Sequence, residues 1–280
     1  MQPLSSYLIC ATPRCGSTLL CEALTNTGVA GFPKEYFEAL KDTGLPRRPM
    51  EYFETWDNTE IAELLETYSQ YNDESVQSII WDSSNYADYL ARAFEEGTTP
   101  NGVFGAKVMW GYFEDFISNL RQISDYSIMP VPELLSTVFP HLQYIFVTRR
   151  DKVRQAISLW RAVQTWTWKM EDSAHPTDAS FPRVHKLLFH FEAIDYLIQQ
   201  FVAHEASWQH YFKECGVEPL TIVYEELEVA YEATTFKVLQ YLNIPIPENH
   251  TLAERQMKKQ ADALSEEWVQ QYEHLKNKQV

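Results

Sequence analysis

Tyr7, Leu8, Ile9, Cys10 and Ala11 form an unbroken apolar run, the pattern of a strand buried on both faces. A turn follows, Thr12-Pro13-Arg14-Cys15-Gly16, and beyond it Leu20, Ala23 and Leu24 recur at helical spacing, with Ser17 expected to cap that helix. The same arrangement returns at 143–151: the apolar run Tyr144, Ile145, Phe146 and Val147 ends in Arg149 and Arg150, and Asp151 is a natural N-cap for a long helical pattern. Further strands are predicted over 102–110 and 220–224, and further helices over 60–71, 86–95, 113–123, 131–138, 183–212 and 234–242. Residues 28–58 are irregular, and a long loop in a compact domain is often a functional one. Buried strands separated by helices predict an α/β fold around a central, mainly parallel sheet flanked by helices. With no repeat or linker to divide the chain, residues 1–280 are expected to form one domain.

Composition narrows the class. An apolar share of 45%, 14% aromatic, is enough to close a core in 280 residues and excludes a disordered or fibrous chain. The net charge of −16 repels nucleic acid through the overall field. No apolar run approaches the roughly 18 residues of a membrane span. Met1 to Ser6 lacks the basic start of a secretory signal, so a soluble, cytoplasmic protein without stable membrane insertion is expected. Cys10, Cys15, Cys21 and Cys215 lack zinc-ligand spacing and read mostly as small buried apolar residues.

Two segments carry candidate chemistry. The loop Pro13-Arg14-Cys15-Gly16-Ser17-Thr18 lies between a buried strand and a helix N-terminus, where unpaired N–H groups and the helix dipole attract phosphate. It supplies a cation, a flexible residue and two hydroxyls, but it is shorter than the nucleotide phosphate loop and lacks that loop's first glycine. An ordinary strand-to-helix turn with a solvated arginine is the alternative. The second segment holds Arg149, Arg150, Lys152, Arg154 and Arg161, five of the 23 basic residues. Arg154, Ser158 and Arg161 share a helix face at i, i+4 and i+7, and Arg150 precedes them, a set suited to a phosphate monoester. A solvated basic face is the alternative there. Both segments follow parallel strands at their carboxyl ends, so together they predict a nucleotide with two separated phosphate groups on one rim of the sheet.

These residues resemble the sulfotransferases that use 3'-phosphoadenosine 5'-phosphosulfate, PAPS. Thr12 to Thr18 is similar to their 5'-phosphosulfate loop, Arg150 to Ser158 to their 3'-phosphate motif, and Val223-Tyr224-Glu225-Glu226-Leu227 to a strand-end motif. A narrower resemblance, to the Stf0 branch or trehalose 2-sulfotransferase family, rests on the segments 28–37, 100–110, 158–165 and 255–268. It implies a P-loop-like sulfotransferase fold, PAPS as sulfuryl donor with no metal, and a saccharide or glycolipid hydroxyl such as that of trehalose as acceptor. Members of the family can be homodimers. Two residues depart from the pattern: Cys15 replaces the loop's more usual serine, and Phe32 stands where an acidic residue is common on the acceptor side.

By that resemblance Arg14, Cys15, Gly16, Ser17, Thr18, Arg150 and Ser158 bind the donor, Arg14 also stabilises the leaving oxygen, and Glu35 is the base that takes the acceptor proton. Lys107 is either a contact to donor or acceptor or an exposed strand-end lysine. Trp110, Trp160, Trp166 and Trp168 are stacking candidates, and Arg255 to Trp268 is either a segment that closes over the nucleotide or a solvated helix start. His141, His185 and His190 are expected to be structural or surface groups. Two other readings stay open: a nucleotide kinase or NTPase, and a nucleotide-binding module without catalysis.

Overall fold

The computed structural model describes residues 2–39, 47, 49–53, 56, 59–70, 86–123, 126–165, 187–245, 255 and 262–279. In chain order the elements are β1 (Ser5–Ala11), α1 (Ser17–Asn26), α2 (Thr59–Gln70), α3 (Tyr86–Gly97), β2 (Val103–Met109), α4 (Phe113–Leu120), α5 (Val131–Val138), β3 (Gln143–Thr148), α6 (Lys152–Thr165), α7 (Phe191–Glu214), β4 (Leu220–Val223), α8 (Tyr224–Val229), α9 (Tyr231–Tyr241) and α10 (Ala263–Gln279). They divide between two compact units. The first comprises residues 1–46, 79–150 and 204–254, the second 47–78, 151–203 and 255–280.

The first unit is built on a four-stranded parallel sheet of order β2-β1-β3-β4. The α/β expectation therefore holds. Every residue of β2 is buried, and β1 is buried except at its first position, as strands covered on both faces must be. Phe37, Phe94, Phe104, Phe116 and Phe139 form one aromatic cluster, with Phe37 stacked on Phe116 at 4.6 Å and Phe94 edge-on to Phe104 at 4.9 Å. Trp208 anchors the carboxyl-terminal part of α7, donating its indole N–H to the Ala11 carbonyl at 3.0 Å. The chain runs from β1 to β2 on one side and returns to β3 on the other, so the switch point of the sheet lies between β1 and β3.

The second unit closes around a separate core that includes Phe53, Ile61, Trp160, Val163, Phe191, Leu197, Trp268 and Tyr272. Trp160 is fully buried there, its indole N–H donated to the Leu188 carbonyl at 2.8 Å, so it is a packing residue and not a stacking platform.

Several boundaries differ from expectation. Gly16, not Ser17, is the N-cap of α1; its left-handed φ of +90° turns the backbone into the helix, and Ser17 is already helical and buried. The helix expected over 183–212 starts at Phe191, residues 183–186 lying outside the described residues. Leu188 is held out of helical geometry by Gln164, and His190 accepts a hydrogen bond from the Ala193 amide at 3.2 Å as a cap would. Tyr224 ends no strand but begins α8, and the 113–123 helix ends at Leu120. Helix α10 was anticipated only as the solvated helix start read as the alternative within 255–268; Leu264, Trp268, Val269 and Tyr272 carry its apolar stripe.

Candidate active site

Four strand ends of the first unit lie on one rim, and the residues that follow them interlock. After β1 the backbone enters the left-handed region twice, at Arg14 with φ +62° and at Gly16 with φ +90°. For arginine that conformation is strained, by about 1 kcal/mol or more, and is retained only where surroundings enforce it. Arg149, just past β3, supplies part of that enforcement by donating Nη1 to the Arg14 carbonyl at 3.4 Å. Its guanidinium lies 4.6 Å over the Tyr224 ring, which follows β4. That ring fills the space a Cβ on residue 16 would need, so Gly16 is required for close approach as well as for φ.

The start of α1 has the features of an anion site. Among the described residues no side chain caps it, its first turn holds no acidic residue, and the first intrahelical bond is Leu20 N–H to the Gly16 carbonyl at 3.2 Å. The amides preceding Leu20 in that turn have no place in the helical ladder. Cys15 is fully buried, and burial raises its thiol pKa against the lowering pull of hydrogen bonds from Thr12 and Ser17. Its side chain therefore packs inward as a neutral group, leaving only its backbone for a ligand.

Lys107 lies within β2 and is only 5% exposed, which overturns the alternative of an exposed strand-end lysine. Its Nζ donates to the Thr18 hydroxyl at 3.1 Å and pairs with Glu35 Oε2 at 2.8 Å. Burial is the largest single influence and pulls its pKa down, but the Glu35 charge and hydrogen bond, joined by the Cys21 and Glu38 charges, together outweigh it and leave the pKa above the ordinary lysine value. The other Glu35 oxygen, Oε1, lies 3.3 Å from the hydroxyl of Tyr112. Sequence reasoning did not single out Tyr112; an aromatic residue just past a strand carries no signal of its own.

The Glu35 segment, expected to be irregular, is fastened along the free edge of β2. Phe32 N–H bonds the Gly97 carbonyl at 2.9 Å, Lys107 N–H bonds the Lys34 carbonyl at 2.9 Å, and the Tyr7 hydroxyl bonds the Ala30 carbonyl at 2.6 Å. Gly31, at φ +74°, comes so close to Gly105 that a Cβ would meet its nitrogen at 2.8 Å.

Arg150 follows β3 on the same rim as Arg14. Its amide donates to Glu225 Oε2 at 3.1 Å and its guanidinium pairs with Glu226, the pair being more than half exposed. Ser158 belongs to α6 in the second unit, between Arg154 and Arg161. Those two arginines are committed within that unit. Arg154 is held by Asp151 at 2.5 Å and by both oxygens of Glu266 at 3.1 and 2.5 Å, and Arg161 by both oxygens of Asp262 at 2.6 and 2.8 Å. The basic face of that helix is thus a structural network in part. Trp110 is half-buried, stacked on Phe113 at 5.3 Å and edge-on to Trp208. Trp166, Trp168, His185 and residues 256–261 of the candidate closing segment lie outside the described residues.

Among the described residues no helix is long and apolar enough to cross a membrane. The family model for Stf0 sulphotransferase matches residues 6–274, across both units. A trehalose 2-sulfotransferase of Mycobacterium tuberculosis is 33% identical over 268 residues, 95% of this chain and 93% of that protein. One from Mycolicibacterium smegmatis is 33% identical over 96% of this chain and 94% of its own. Among solved structures, a sulfotransferase from Alicyclobacillus acidocaldarius covers 98% of this chain and 96% of its own with a TM-score of 0.44 at 12% identity, a likeness too loose to bear on mechanism. The extent of the family match, together with the identity to full-length relatives, makes this chain a member of the Stf0 sulphotransferase family.

Proposed function

We propose that residues 1–280 act as one sulfotransferase domain that moves a sulfuryl group from PAPS to a carbohydrate hydroxyl, that of trehalose or a related saccharide. The observation that carries this reading is Lys107, which bonds the Thr18 hydroxyl at the α1 terminus with one hand and the Glu35 carboxylate with the other. A buried cation that joins an anion-binding turn to a carboxylate base brings the two halves of a transfer reaction together. The turn suits the donor: Arg14, the amides of Gly16, Ser17 and Thr18, and an acid-free first turn form a cradle for a phosphosulfate. Arg150, on the neighbouring strand end, would take the second phosphate group in exchange for Glu226.

PAPS supplies an activated sulfur with adenosine 3',5'-bisphosphate as leaving group. Glu35 accepts the proton of the acceptor hydroxyl as its oxygen bonds to sulfur and the sulfur–phosphate oxygen bond breaks. The leaving phosphate retains the electron pair, and the proton on Glu35 is later lost to solvent. Arg14 and the α1 amides stabilise the charge on the leaving oxygen, where loss of a single donor typically costs about 100- to 1,000-fold in turnover. Lys107 aims the Glu35 carboxylate through the 2.8 Å contact to Oε2.

Incubation with labelled PAPS and a panel of disaccharides and glycolipids that includes trehalose, read by mass spectrometry, tests the reading. Glu35→Gln is expected to bind adenosine 3',5'-bisphosphate as the parent does and to lose most transfer. Unchanged turnover would remove Glu35 from the mechanism.

A further inference from the structure

Glu35 is held at both oxygens, and the second holder belongs to no expected site. Lys107 Nζ takes Oε2 at 2.8 Å, and the Tyr112 hydroxyl lies 3.3 Å from Oε1. Tyr112 is 1% exposed, on the short turn Trp110–Tyr112 that continues β2, so the same strand delivers both groups to one carboxylate. Its single proton is shared between Oε1 and the Lys107 carbonyl, also 3.3 Å away, and the carbonyl ties the phenol oxygen to the strand. Burial pushes the phenol pKa well up, with the Glu35 and Glu38 charges adding to it, so the hydroxyl keeps its proton and is available as a donor. A carboxylate gripped at one oxygen can still rotate about its last bond. Gripped at both it cannot, and the lone pairs left for the acceptor keep fixed directions.

We propose that Tyr112 is a positioning residue for the sulfuryl-transfer reaction, orienting the Glu35 carboxylate through a hydrogen bond to Oε1. The inference rests on the reading of Glu35 as base. Its action is indirect: Tyr112 need touch neither donor nor acceptor, and its whole effect passes through Glu35.

Tyr112→Phe keeps the ring and removes the donor. With PAPS and trehalose, kcat is expected to fall about tenfold. The KM for PAPS and the affinity for adenosine 3',5'-bisphosphate should stay at parent values. In a Glu35→Gln background the same substitution should cost nothing further, since the group it orients is already gone. Replacement of Tyr112 by p-aminophenylalanine, which restores a ring-borne N–H donor, should return most of the lost rate and also serves if the phenylalanine variant does not fold. An unchanged kcat in Tyr112→Phe, a loss that multiplies with that of Glu35→Gln, a parallel loss of donor affinity, or an amino variant no better than phenylalanine would each overturn the proposal. If Glu35→Gln alone leaves turnover intact, the reading of the base fails instead, and the two failures are told apart within one set of assays.

Discussion

Arg154 and Arg161 on α6 are each clasped by a carboxylate from 262–266, whereas Lys107 on β2 joins a carboxylate to a helix-terminal hydroxyl. All three cations are paired, and what separates them is what the pair leaves over. Around Arg154 the two acidic partners, Asp151 and Glu266, satisfy the guanidinium fork from both sides, and the result is a staple between helices of the second unit. Lys107 is buried, its partner carboxylate keeps about a quarter of its side chain exposed, and its second partner lies at an uncapped helix start. A charge pair that excludes water on one side only is where a substrate proton can arrive. Arginines concentrated in sequence can thus already be committed to ion pairs within the fold, as Arg154 and Arg161 are.

The strongest way to break this comparison is Lys107→Met. It leaves Glu35 without its main counter-charge, so transfer should fall about 100-fold or more and stability by about 3 kcal/mol, read by turnover and denaturant titration. Turnover near the parent value would reduce Lys107 to a packing role. Next in size is Arg150→Ala, expected to weaken binding of adenosine 3',5'-bisphosphate about tenfold by calorimetry. Glu226→Gln, which removes the exposed competitor for that guanidinium, should tighten the same binding by about two- to fivefold. If neither variant moves the dissociation constant, Arg150 holds no phosphate.

On the structural side the effects should be small and confined to stability. Arg154→Met removes a partly exposed network and is expected to cost about 1 kcal/mol or less, with the KM for PAPS unchanged. A rise in that KM would return the helix face to the donor site. The smallest effect is one of pH. Arg161 holds the Asp262 carboxyl down at about 2, below its ordinary value of 3.8. A depressed carboxylate stabilises the fold above its unfolded pKa and ceases to do so as pH falls through the folded one. The contribution should thus be complete above about pH 4 and fade toward pH 2, and Asp262→Asn should flatten acid titrations in that window.

Much of the first unit was legible in the chain. The apolar runs at 7–11 and 144–147 are strands covered on both faces, which an unbroken short apolar run bounded by turn residues suits, and as the strands are parallel the residues after them lie on one rim. Asp151 caps its helix as expected, accepting the Arg154 amide at 2.8 Å. Glycine at 16 was legible as flexibility, but the Tyr224 ring that makes it obligatory comes from more than two hundred residues away. The extent of α10 to Gln279 was missed because its polar face dilutes the stripe formed by Leu264, Trp268, Val269 and Tyr272.

Local pattern by itself determined the buried strands and the cationic turn after the first of them, since those depend on neighbours a few positions apart, whereas Glu35 was singled out only by the resemblance to a family. Only tertiary structure decided which charges are committed. Glu266 meets Arg154 across 112 positions of sequence, Lys107 meets Thr18 across 89, and Tyr112 meets Glu35 across 77. Pairing energy depends on distance in space and on how much water remains between the partners, and neither quantity is written in the order of the residues.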